Sequence, residues 1–196
     1  MKRLATLGLA LWLAACASIQ KVEGEQLVNH KLAVTVPAAW NKLVDPFDDD
    51  PYDTWTQEGL PLDHLRLWAG VKAGQPLMAQ PFVFFRAPDE KAPRLPTFKP
   101  GMTPDKLVQL FQELYATSGT VRVTRVDPAS FAGEKGVRFE FTLARRADDL
   151  TLKGVGWAAE HNRELYAATF AAPRLTFFAK LLPMAEAVVK TAHIRG

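Results

Sequence analysis

The sequence predicts an α+β domain in which an antiparallel sheet carries helices. Three observations lead there. Residues 120–172 alternate apolar and polar side chains in four closely spaced runs, a spacing that suits antiparallel hairpins and leaves no room for parallel crossovers. Residues 103–119 carry one apolar stripe at helical spacing, and residues 174–191 carry a second helical pattern. Composition agrees with a globular chain: 48% of the 196 residues are apolar, 23% are charged, and five tryptophans promise a large core.

The amino-terminal element stands apart from this domain. "MKRLATLGLALWLAAC" opens on two positive charges, Lys2 and Arg3, and then runs apolar from Leu4 to Ala15, broken only by Thr6 and Gly8. A charged start, an apolar stretch and small residues at its end describe a secretory leader over residues 1–15, too short to span a bilayer comfortably. Leu13-Ala14-Ala15-Cys16 also resembles a bacterial lipobox. The resemblance implies that a peptidase reads Leu13, Ala14 and Ala15 and cuts before Cys16, whose sulfur already carries diacylglycerol. The new amino group is then open to acylation. Ala17 resembles the outer-membrane class of such lipoproteins, in contrast to the aspartate that favours inner-membrane retention.

Cys16 is the only cysteine, so no intrachain disulfide is available, and a lipid anchor explains its position. An ordinary leader with a buried cysteine is the alternative. Residues 16–26 then read as a lipidated tether reaching ~35 Å at most, and residues 27–196 as one α+β domain. The partners expected are the membrane, through the lipid on Cys16, and an envelope protein at the periplasmic face. Nucleic acid is not expected: without Lys2 and Arg3 the 24 basic residues become 22, against 21 acidic.

Within the body, Leu32, Val34 and Val36 share one face of a strand that Pro37 should end. "DPFDDDPYD" is an acidic loop. "YDTWTQEG" and "DHLRLWAGV" read as strands, "QPFVFFRA" as a third apolar run of strand length, and residues 87–101 as a Pro-rich ordered connector. The clearest helix has Thr103 as N-cap, Pro104 in its first turn and Asp105 complementing the dipole, with Gly119 as its stop. Leu107, Val108, Leu110, Phe111, Leu114 and Tyr115 form its apolar stripe. In the meander, Val137, Phe139, Phe141 and Leu143 face one way. Pro183 should divide residues 174–191 into two helices, and "HIRG" adds a last short strand.

The strand leading into "VTVPAAWNKL", the later helix, the meander with its Leu165-Tyr166 strand, "AAP" and the terminal helix together resemble the PsbP-like fold group, which includes bacterial lipoproteins of the DcrB type. The resemblance covers most of residues 27–194 and rests on pattern and order. It implies a central antiparallel sheet with helices on both sides, an α/β/α sandwich. It also implies a largely non-enzymatic role in binding and assembly, and it transfers no site residues.

The chemistry-bearing residues are few. Asp45, Asp48, Asp49, Asp50 and Asp53 could offer carboxylates to a hard cation, yet the loop lacks the alternating acids and central glycine of a calcium loop and reads as solvated. Ser18, Ser118 and Ser130 lie in no nucleophile elbow. Asp63 and His64 are strand neighbours and should face opposite ways. His30, His64, His161 and His193 are dispersed; His161 and Glu164 flank a turn but supply only two ligands. "AGVKAG" lacks the helix that would present its amides to a phosphate. Trp40, Trp55, Trp68 and Trp157 suit core packing. Arg122, Thr124, Arg138, Glu140 and Thr142 should share one polar sheet face, either a solvated face or a docking surface for a partner.

The expectation is therefore a lipid-anchored envelope module with no cofactor and no enzymatic activity, probed against two alternatives. One is a carrier or sensor of a small apolar ligand, with a Trp- or Phe-lined pocket between sheet and helix. The other is a cation-binding accessory protein using the aspartate loop.

Overall fold

The computed structural model describes residues 18–44, 49–60, 62–80 and 94–195. Leu13, Ala14, Ala15, Cys16 and Ala17 lie outside the described residues, as do Asp45, Asp48 and all of "QPFVFFRA" beyond Gln80.

The chain enters as a strand. β1 (Ser18–Val28) pairs antiparallel with β2 (Leu32–Val44), so residues 18–26, expected to belong to a tether, are a strand of the sheet. β1 buries only Val22 and Val28, which is why its sequence reads as a polar linker; main-chain pairing with β2 sets its order. Pro37 does not end β2 either. Between the paired couples Val22–Trp40 and Gly24–Val36, β1 has Glu23 alone while β2 has Pro37, Ala38 and Ala39. A proline looped out in a bulge has no ladder bond to make, so the strand continues past it.

β3 (Tyr52–Thr56) and β4 (His64–Val71) follow as expected. Helix α1 (Pro104–Ala116) buries all six residues of the apolar stripe; Thr103 precedes it without a side-chain capping bond. Gly119 is not the helix stop. Thr117 caps α1, its hydroxyl bonding the Leu114 carbonyl at 2.6 Å, and Gly119 opens β5 (Gly119–Phe131). There a Cβ would lie 2.1 Å from the Ala144 carbonyl oxygen, so only glycine permits the approach. β6 (Glu134–Arg145), β7 (Thr151–His161) and β8 (Glu164–Pro173) complete the meander. The β7–β8 hairpin turns through Asn162 and Arg163, both at positive φ, the geometry that matches the twist of its strands.

Pro183 lies inside one continuous helix, α2 (Phe177–Lys190), rather than between two. Phe178 and Leu181 before it, and Ala185, Val188 and Val189 after it, are buried on one stripe. Packing of that stripe outweighs the ~3 kcal/mol that an interior proline costs a helix. β9 (His193–Ile194) then pairs with the start of β2.

The described strands form one nine-stranded sheet in the order β1-β2-β3-β4-β8-β7-β6-β5, with β9 beside β2 and every described pairing antiparallel. α1 packs over β5 and β6 on one face; α2 packs over β2, β7 and β8 on the other. This is the α/β/α sandwich that the fold resemblance implied. The central strand β8 is buried on both sides, sending Ala167 and Ala171 into the α1 layer and Ala168 and Ala172 into the α2 layer. Small side chains on the middle strand leave room for large ones from its neighbours. Among the described residues no helix is long and apolar enough to cross a membrane.

Candidate functional site

The expected polar face of the meander is assembled differently from the sequence reading. Arg122 stands opposite Thr142, but a bulge between Val123 and Arg125 takes Thr124 out of the register. Beyond it Arg125 faces Glu140 and Asp127 faces Arg138. The spacing Val121, Val123, Val126 carries the signal: a step of three in a period of two is a bulge. Arg138 donates to Glu140 at 2.9 Å and lies 3.7 Å from Glu186 of α2, while Lys153 lies 3.4 Å from Glu140. The Arg138 guanidinium also stands over the Trp157 ring. These charges are spent on one another, fastening α2 to the sheet beside its apolar layer.

Burial pushes the Glu140 carboxyl up, but the hydrogen bond from Arg138 and the charges of Lys153 and Arg138 outweigh it, leaving the group below the ordinary carboxylate range. A carboxylate whose pKa is depressed by folding adds stability that is fully present above its unfolded pKa. That stability is lost as pH falls through the folded value. Arg138→Met is therefore expected to move the Glu140 titration upward, read by carboxyl-carbon NMR. An unmoved titration would show that the guanidinium is not what holds it down.

The acidic loop offers no assembled cation site among its described members. Asp53 pairs with Lys42 at 2.6 Å, and Asp50 accepts the Ala79 amide at 2.7 Å. Asp50, Asp53, Asn29 and Gln75 share the wall of a pocket of ≈ 320 Å³, yet no cluster of three acidic or histidine ligands occurs among the described residues. His161 and Glu164 stand opposite one another in the β7–β8 hairpin, but each bonds elsewhere: His161 Nδ1 meets Glu134 at 2.8 Å, and Glu164 meets Lys31 at 2.6 Å.

Asp63 and His64 bond different partners and form no dyad. Asp63 is fully buried and accepts from Thr56 Oγ1, Gln57 N and Glu58 N, closing the β3–β4 turn. His64 points into the α1 layer, where its Nε2 lies 3.5 Å from the Tyr115 hydroxyl. That hydroxyl sits 2.6 Å from Thr169 Oγ1 on β8. Two residues along β4, Arg66 holds its guanidinium 4.8 Å from the centre of the Tyr52 ring and 5.7 Å from that of Tyr115. No acid pairs with Arg66 among the described residues, and its Nε is buried with no hydrogen-bond acceptor. Leaving a buried donor unmet costs about 1–3 kcal/mol.

His64, Arg66 and Tyr115 line a pocket of ≈ 170 Å³ at the C-terminal end of α1, together with Ser118, Arg145, Leu143 and Leu152. Arg145 is paired with Asp148. Burial, and then the charges of Arg66 and Arg145, push His64 well below the ordinary imidazole value, so it is neutral at pH 7. Burial also raises the Tyr115 hydroxyl, which stays protonated. Ser118 and His64 share this pocket, but no hydrogen bond links them and no carboxylate bonds the imidazole among the described residues. The nucleophile–base–orienter arrangement of an acyl-transfer site is not assembled. A second, apolar groove of ≈ 260 Å³ runs between the Pro37 bulge and Pro183 and Met184 of α2, with Trp40 among its lining residues.

Comparison with known proteins bears on the fold. No family model and no curated protein sequence matches the chain. Among solved structures, cyanobacterial PsbP (CyanoP) from Synechocystis sp. PCC 6803 superposes with a TM-score of 0.54 at 8% identity, covering 93% of this chain and 95% of that one. The fold is PsbP-like. LpqN of Mycobacterium tuberculosis, described as involved in cell envelope biogenesis, also matches, with a TM-score of 0.36, 10% identity, and coverage of 94% of this chain and 88% of that one.

On this PsbP-like sheet the Arg66 pocket was not visible to sequence reasoning, because His64, Arg66, Tyr115, Arg145 and Thr169 come from three strands and a helix. One local signal was available. In "HLRLWAGV" a cation occupies a position whose strand neighbours on the same face, His64 and Trp68, are both buried.

Proposed function

We propose that the chain is an exported lipoprotein, held at the envelope by acyl chains on Cys16, that acts as a non-enzymatic binding and assembly module at the periplasmic face. The charged apolar leader and Leu13-Ala14-Ala15-Cys16 support the anchor. The observation that carries the reading is the start of β1 at Ser18. Only Ala17 separates that strand from Cys16, so the slack is about 7 Å and the sheet itself is pinned at the lipid surface. Two or three acyl chains, at about 0.8 kcal/mol per buried CH₂, suffice for durable attachment. Ala17 favours the outer membrane, and no hydrogen bond among the described residues joins Ser118 to His64, which supports a binding role over catalysis.

Cys16→Ser is expected to shift the protein from the membrane pellet to the soluble fraction. Mass spectrometry of the native protein should show an acylated residue 16 at the amino terminus. An intact leader, a bare thiol at Cys16, or a serine variant that still pellets with lipid would overturn the anchor. Crosslinking in the native envelope should capture a specific envelope protein; the same capture in the Cys16→Ser strain would show that anchoring is not needed for it.

A carrier of small ligands is the second reading, favoured by the pocket at the end of α1, which joins one unmet donor, the Arg66 Nε, to leucines.

A further inference from the structure

We infer that the pocket at the C-terminal end of α1 binds a small organic carboxylate, with Arg66 as its anchoring cation. The inference deepens the carrier reading and rests on it.

The ligand class follows from charge, shape and donors. Of the two guanidiniums at the pocket, Arg145 is matched by Asp148, whereas Arg66 has no acid partner among the described residues. One uncompensated positive charge asks for one negative charge. The Arg66 head is planar and is set between the rings of Tyr52 and Tyr115, which limits its rotation and presents a fork of N–H donors. Such a fork pairs with the two oxygens of a carboxylate in parallel hydrogen bonds. Its buried Nε is already stripped of water and without an acceptor, so the cost of desolvating that atom does not fall on the binding step.

The rest of the pocket suits a short apolar tail. Leu60, Leu143 and Leu152 line it, and the ≈ 170 Å³ volume suits a short chain. His64 is uncharged and the Tyr115 hydroxyl is engaged with Thr169, so neither competes with Arg66 for the anion as a second full charge.

The test is an NMR titration of the full-length protein in a nonionic detergent, using sodium hexanoate, hexan-1-ol and inorganic phosphate at matched ionic strength. Hexanoate is expected to give saturable shifts at the His64 ring and at the Leu143 and Leu152 methyls. Hexanol should bind at least tenfold more weakly, and phosphate should not saturate the same resonances. Arg66→Gln should weaken hexanoate at least tenfold and leave hexanol unchanged. The hexanoate–hexanol comparison needs no variant, so a poorly folded Arg66→Gln would not rescue the idea. Hexanol binding as tightly as hexanoate in this pocket would overturn the carboxylate and leave a carrier of neutral apolar ligands. Saturation by phosphate at lower concentration would overturn it in favour of an inorganic anion. No saturable shift from any of the three would overturn both the inference and the carrier reading.

Discussion

Gly156→Val is expected to destabilise the protein by about 3 kcal/mol, seen as a lower urea midpoint at unchanged slope. Propensity alone predicts the opposite sign, because glycine inside a strand is worse than a residue with a side chain by roughly 0.5–1 kcal/mol. The contact decides the matter. Gly156 pairs with Phe139 across the β6–β7 ladder, and a Cβ built on it would stand 2.3 Å from the ring's Cζ. Gly154 stands in the same relation to Phe141, at 2.2 Å. Each ring therefore lies down over the bare backbone of β7 instead of standing upright.

A flexible side chain could move aside, but these rings are confined. Phe139 lies 5.5 Å from Phe111 and 6.0 Å from Phe141 between ring centres, and Phe141 lies 4.7 Å from Tyr115. Phe111 is in turn set edge-on to Trp68 at 5.3 Å. Displacing one ring pushes on α1 through the others, and a packed interior resists such shifts. Gly156→Ala should cost about 1–2 kcal/mol by the same argument. Phe139→Leu in the valine background should recover part of the loss, giving a favourable coupling in a double-mutant cycle. A neutral or stabilising Gly156→Ala would show that the rings are free to retreat.

This aromatic layer also marks the boundary of what the sequence makes legible. The alternation of Val137, Phe139, Phe141 and Leu143, and the stripe on α1 that meets it, are periodic signals strong enough to place both elements and their facing surfaces. The glycines opposite carry no pattern of their own, since their role exists only once β6 and β7 are paired in register. β1 escaped for a different reason. An edge strand that buries two side chains has no amphipathic signature to read, and its pairing energy lies in the main chain. Pro37 and Pro183 misled in the same direction. Each is a local stop signal, overridden in one case by a bulge and in the other by a buried stripe that continues past the proline. The polar meander face was legible up to Thr124, where the bulge exchanged the residues that follow. The Arg66 pocket lay beyond reach because the jump from β4 to β8 in the sheet order brings together residues about a hundred positions apart.

Asp63→Ala is expected to cost about 3–4 kcal/mol, at the upper end for a single substitution. Asp63 is fully buried, and its two carboxylate oxygens accept Gln57 N at 2.7 Å, Glu58 N at 2.7 Å and Thr56 Oγ1 at 2.9 Å. Thr56 Oγ1 then accepts the amide of Gly59 at 2.8 Å, so one side chain organises the whole turn from β3 to β4. Alanine leaves these donors unmet where the turn admits little water, and each orphaned group carries its own penalty. Asp63→Asn should fall between, because one oxygen remains to accept while the new amide group confronts backbone N–H donors. Hydrogen exchange separates this from a general loss of packing: the amides of Gln57 and Glu58 should lose protection first, ahead of those in β7 and β8. The consequence reaches the pocket as well, since the residue after Asp63 is His64 and the turn it closes carries Leu60. A carboxylate ligand that needs Arg66, two residues beyond His64, should therefore bind more weakly to a folded Asp63→Asn protein, even though residue 63 does not line the pocket. If Asp63→Ala stays within about 1 kcal/mol of the parent, the turn is held by its strands and not by this carboxylate.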